Sequence, residues 1–147
     1  MNRVEAALSL FKGGFACSQA VLAAYADLFG LNNELALRVS SGFGGGMGRM
    51  AKTCGAVTGA FMVIGLQNGP ISGEDQTNKT KTHQLVREFA EKFASRNGSI
   101  ACKELLGIDL SLPGMLEAAR EKNVFKTVCP KFVESAAQIL EEILSVE

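Results

Sequence analysis

Between positions 42 and 48 five of seven residues are glycine, and a few residues later the chain enters 53–67, a stretch that is apolar on every side. Glycine costs about 1 kcal/mol relative to alanine in a helix interior, so 42–48 is expected to be a loop or a sharply bent connection. The apolar stretch has no polar face to offer water, so it is expected to be a central helix surrounded by protein. Within it Gly55 and Gly59 stand four apart with Ala56 and Ala60 beside them. Such a stripe admits another backbone, a flat ligand or a second copy of the chain, so a homodimer is one expectation.

Elsewhere the apolar residues recur at helical spacing and never alternate convincingly. A first helix covers roughly positions 1–12 and breaks at Gly13-Gly14. A second runs from about Cys17 to Phe29 and stops at Gly30. A third begins near Asn33 and leads towards the glycines. A long amphipathic helix spans about Gln76 to Ser95. A short one follows from Cys102 to Leu106, ending at Gly107, and the last begins at Cys129-Pro130. Nothing divides the chain, so 1–147 is expected to form one all-α domain. The expected architecture is a compact helical bundle in which a glycine-rich loop leads into the central apolar helix.

Fifteen basic and fifteen acidic side chains cancel, which argues against nucleic acid or an anionic membrane as partner, since both demand a basic excess. No apolar run reaches the ~20 residues of a bilayer span. The start of the chain mixes Arg3, Glu5 and Lys12 with Val4, Ala7, Leu8 and Phe11, the pattern of an amphipathic helix and not of a secretory signal. The expected compartment is the cytoplasm, with the cysteines reduced.

Those cysteines carry the chemical expectation. Cys17, Cys54, Cys102 and Cys129 all fall at or near expected helix starts, where free N–H groups and the positive dipole end favour a thiolate. Cys17 and Cys129 also sit on apolar stripes and so point inward. Against this, a reduced cysteine is among the most buried residue types and packs as a small hydrophobe. There is no C-x-x-C, so zinc-ribbon, thioredoxin-like and ferredoxin-run spacings are absent. The only histidine, His83, reads as a boundary residue of the long helix, and Met47, Met50 and Met62 read as packing.

The glycine loop is not a dinucleotide or P-loop fingerprint: Met47 takes the third glycine's place, no strand precedes it and no Gly-Lys-Ser/Thr follows. A looser anion site fits better. Gly44, Gly45, Gly46 and Gly48 supply backbone N–H groups, Arg49 supplies charge, and Arg38 and Lys52 stand nearby in a segment with no acid between Glu34 and Glu74. A tight turn that lets two helices cross closely is the competing reading.

In order, Cys17-Ser18-Gln19-Ala20-Val21, the glycine loop, Cys54-Gly55-Ala56-Val57-Thr58-Gly59, Cys102 ahead of Leu105-Leu106-Gly107, and Cys129 resemble the C-GCAxxG-C-C family of redox-active proteins across essentially the whole chain. The resemblance implies that Cys17, Cys54, Cys102 and Cys129 are the signature cysteines. It also implies a redox partner protein, or a transporter or oxidoreductase system, as the setting.

Three functions are then expected in order. The first is a cofactor protein whose four thiolates, Cys17, Cys54, Cys102 and Cys129, hold an iron–sulfur cluster for electron transfer, with zinc as the structural variant. The second is a metal-free dithiol/disulfide protein or sensor with Cys54, beside Lys52, as the nucleophile. The third is a non-catalytic helical protein that binds a small anion at the glycine loop.

Overall fold

In the computed structural model, residues 1–144 are described. Asn2 starts the first helix, α1 (Arg3–Lys12), by accepting the Glu5 N–H at 2.8 Å, a polar N-cap. After the Gly13-Gly14 turn, α2 (Cys17–Ala26) runs on through a 3-10 turn, Asp27–Phe29, to Gly30 at φ 74°. Asn32 caps α3 (Asn33–Ser40). The glycine loop then leads to α4 (Gly55–Asn68), and Asp75 caps α5 (Gln76–Asn97). The chain closes with α6 (Cys102–Leu106), α7 (Met115–Glu121), α8 (Val124–Thr127) and α9 (Cys129–Ile143), the last with Pro130 in its first turn.

The all-α expectation holds. Among the described residues the one extended pairing is an antiparallel bridge between Thr53 and Ala101. No described helix is long and apolar enough to cross a membrane. The sequence reading assigns no helix between Gly107 and Val128, and there the structure differs. α7 and α8 are too short to show a clear period, and Asn123, in the left-handed region at φ 55°, separates them. They are held by a small apolar cluster of their own, Cys102, Leu110, Ala119 and Val124.

The main core lies where α4 is enclosed by α2, α5 and α9. From Gly55 to Ala60 every residue of α4 is buried, as an all-round apolar helix requires. Phe61, Phe89, Phe93 and Phe132 form a chain of aromatic contacts with centroids 6.0, 6.1 and 6.2 Å apart. Tyr25 is fully buried on α2, with its hydroxyl 3.1 Å from Ala137 O and from a Glu141 carboxylate oxygen. It therefore ties α2 to α9.

The small-residue stripe of α4 is covered from within the chain by α2. A Cβ on Gly59 would stand 2.8 Å from Ser18 O and 3.2 Å from Val21 Cβ. We expect Gly59→Ala to cost about 1–3 kcal/mol, the usual penalty for overpacking a close contact. Equilibrium denaturant unfolding reads this directly, and a variant as stable as the parent would mean that α2 can retreat freely.

Candidate functional site

All four cysteines are placed by helix starts. Cys54 is the N-cap of α4, while Cys17, Cys102 and Cys129 are the first residues of α2, α6 and α9. The residues after Cys17 explain its position. Gln19 accepts the Ala16 N–H at 2.9 Å and donates to Leu37 O at 3.0 Å, and the buried Ser18 hydroxyl donates to Ser40 O at 2.8 Å. These bonds tie the start of α2 to the end of α3. The sequence reading quoted both residues without a role. Their signal was two polar side chains set beside a cysteine at the start of an otherwise apolar helix.

Cys54 and Cys102 are brought together by the bridge at Thr53 and Ala101. Cys54 N–H donates to Ile100 O at 2.8 Å, and Cys102 N–H donates to Lys52 O at 2.6 Å. The glycines make room for the sulfurs. A Cβ on Gly46 would lie 2.7 Å from Cys102 Cβ and 2.6 Å from Lys52 N, and one on Gly55 would lie 3.3 Å from Cys17 Cβ. The loop also enters the left-handed region at Gly45, Gly46, Met47, Gly48, Arg49 and Ala51. For the three non-glycine residues that conformation costs roughly 1–2 kcal/mol each. Such strain persists only where the surroundings over-determine it. Here the loop's carbonyls are held by Arg49 N–H on Gly44 O, Ala51 N–H on Gly45 O and Lys52 N–H on Gly46 O.

These elements surround a cavity of about 930 Å³ that all four cysteines line. Gly44, Gly45, Gly46, Gly48 and Arg49 form part of its wall, so the loop named in the sequence reading and the four sulfurs belong to one site. Lys12, Arg120 and Lys126 add positive charge, and no carboxylate among the described residues lines the cavity. Phe11, Phe15, Leu116 and Phe125 supply apolar wall. The stretch 107–128, in which the sequence reading saw no helix, thus contributes two of the cations. His83 is exposed on α5, and His83, Met47, Met50 and Met62 stand outside the lining.

The thiols share a helix-start setting but not an acidity. Cys17 and Cys129 perturb each other: the neighbouring Cys129 thiol, followed by burial, holds the pKa of Cys17 well up, and the neighbouring Cys17 thiol draws that of Cys129 down. Burial pushes Cys54 up to about 11, against the N–H groups of Ala56 and Val57 that favour its thiolate. Burial, followed by Cys54, Cys129 and Asp109, pushes Cys102 up to about 12. Lys52 acts on Asp109, whose pKa it helps to lower after Ser111. At Cys54 desolvation outweighs the helix start, and the thiol drawn towards thiolate is Cys129. Among the described residues no group of three or more His, Cys, Asp or Glu side chains could hold a metal ion.

Residues 15–143 match the family model described as "Putative redox-active protein (C_GCAxxG_C_C)". No curated protein and no solved structure matches the chain.

The raised thiols make stability depend on pH with a definite sign. Cys54 and Cys102 sit above their ordinary 9.0 in the fold, whereas in the unfolded chain they ionise near their ordinary value. Their contribution is complete below about pH 9 and is lost as pH rises towards 11 and 12. The buried Tyr25, also raised, acts in the same direction. Denaturation midpoints should fall across that range, and Cys54→Ala with Cys102→Ala should flatten the slope. Equal slopes in parent and double variant would contradict this account.

Proposed function

The chain belongs to the C_GCAxxG_C_C family of redox-active proteins, and from that premise we propose that its redox centre is the Cys17–Cys129 dithiol. The observation that carries the reading is that both thiols stand in the wall of one cationic cavity, where they perturb each other and Cys129 is the one drawn towards thiolate. A thiolate is the attacking form in thiol–disulfide exchange, and a second thiol in contact with it is the group that resolves the first bond formed. Oxidation to the Cys17–Cys129 disulfide releases two electrons and two protons to an acceptor. Reduction by a partner protein or an oxidoreductase system returns them. Cys54 and Cys102, held at high pKa, stay as thiols while the pair cycles. We place this chemistry in the cytoplasm, where thiols are kept reduced between cycles.

A second reading has its own support. All four sulfurs line one cavity whose charged side chains are cationic, and four soft thiolates with no histidine or carboxylate among them are the donor chemistry of an iron–sulfur cluster. Cys17, Cys54, Cys102 and Cys129 would hold it, and it would supply one-electron transfer. Since no three side chains are grouped for a metal ion, this reading requires the thiols to draw together.

One preparation tests both. After anaerobic purification, iron and zinc analysis and a visible spectrum are taken beside a thiol count before and after mild oxidation. We expect a colourless protein that loses two thiols, with Cys17→Ser or Cys129→Ser abolishing the loss and the Cys54→Ser/Cys102→Ser pair retaining it. Stoichiometric iron that falls with each of the four single Cys→Ser changes would overturn the dithiol reading in favour of the cluster.

A further inference from the structure

A dithiol that serves only a protein partner needs a sulfur at the surface. Here Cys129 is 5% exposed, Cys54 and Cys102 are 6% exposed, and Cys17 is half-buried. The sulfurs are reached through a cavity of about 930 Å³, within the roughly 300–1,000 Å³ typical of small-molecule sites.

The cavity's charge is one-sided in a chain whose net charge is zero. Lys12 comes from the end of α1, Arg49 from the glycine loop, Arg120 from α7 and Lys126 from α8. Four separate elements thus deliver cations to one space, and none of the four is in an ion pair among the described residues. The ion pairs of the described residues lie away from the cavity: Arg3 with Asp27, Arg38 with Glu34, and Lys92 and Arg96 with Glu142. Apolar wall from Phe15, Leu116 and Phe125 leaves room for a carbon skeleton between the charges.

We infer that this cavity binds a small organic disulfide bearing carboxylates, and that this compound is the oxidant of the Cys17–Cys129 pair. The inference rests on the dithiol reading above. Writing the oxidant as RSSR, the Cys129 thiolate attacks one sulfur, the R–S–S–R bond breaks, and one RS⁻ leaves and takes up a proton. The Cys17 sulfur, giving up its proton, then attacks the Cys129 sulfur of the mixed disulfide and releases the second RS⁻, which that proton neutralises. The sum is RSSR plus two protein thiols giving two RSH and one protein disulfide, with two electrons passed to the small molecule. The cations offset the charge of the carboxylates and of each departing thiolate.

The test uses three disulfides of similar size and different charge: dithiodiglycolate (dianionic), bis(2-hydroxyethyl) disulfide (neutral) and cystamine (dicationic). The rate of protein thiol loss is measured with each. We expect dithiodiglycolate to be fastest and cystamine slowest, with at least tenfold between them, and the triple variant Arg49→Gln/Arg120→Gln/Lys126→Gln to compress that ratio to within about threefold. Circular dichroism confirms that the variant is folded. Cystamine equal to or faster than dithiodiglycolate overturns the inference while leaving the dithiol intact. Binding of thiodiglycolate, a dianionic thioether that cannot oxidise thiols, is measured separately by calorimetry on the full-length protein and the triple variant. Its binding to the parent with loss in the variant supports the anionic site even if no disulfide reacts, in which case it is the dithiol reading that fails. No binding to the parent overturns the site.

Discussion

The contact on which the placing of the cysteines depends most is between two backbones. The first turn of α2, at Ser18, lies against α4 at Gly55 and Gly59, where even a methyl group would press on Ser18 N at 3.2 Å and Ser18 O at 2.8 Å. This contact puts Cys17 beside the start of α4 and hence beside Cys54. It also sinks α2 deep enough for Tyr25 to reach α9, the helix that carries Cys129. Ser18 and Gln19 lock the same turn to α3. The remaining sulfur, Cys102, is brought in by the bridge to Lys52–Cys54 and seated against Gly46.

The four cysteines show how far tertiary surroundings can override a local rule. Each stands at a helix start, where exposed N–H groups lower a thiol's pKa. Yet Cys54 and Cys102 are raised, because removing a thiolate from water costs more than the helix end returns. Cys129 is lowered by the neighbouring Cys17 thiol. What sets Cys129 apart from Cys54 and Cys102 is therefore a neighbour contributed from the far end of the chain.

Helix periods and stops were legible in the sequence because they are local: Gly30 and Gly107 end their helices as their chemistry demands, while the cap of α3 is Asn32, one residue before the expected start at Asn33. The inward setting of Cys17 and Cys129, and their approach to Cys54 and Cys102, followed from helix faces and from the family resemblance. Three things were not legible. α7 and α8 depend on packing with Leu110 and Cys102 and not on periodicity, so they left no clear pattern. The left-handed path of Met47, Arg49 and Ala51 is set by hydrogen bonds back to Gly44, Gly45 and Gly46, and nothing about methionine, arginine or alanine announces it. The contribution of Arg120 and Lys126 to the cavity could not be read from a stretch whose helices were not seen.

The two thiols of the proposed pair lie near opposite ends of the sequence, at positions 17 and 129. A covalent link between them would close a ring of roughly 110 residues, which in chain-entropy terms removes on the order of 4–5 kcal/mol of freedom from the unfolded ensemble. The oxidised and reduced forms would then share a fold but not a lifetime. On the proposed dithiol reading, the protein would carry its redox state as resistance to unfolding and proteolysis as well as in its sulfur chemistry.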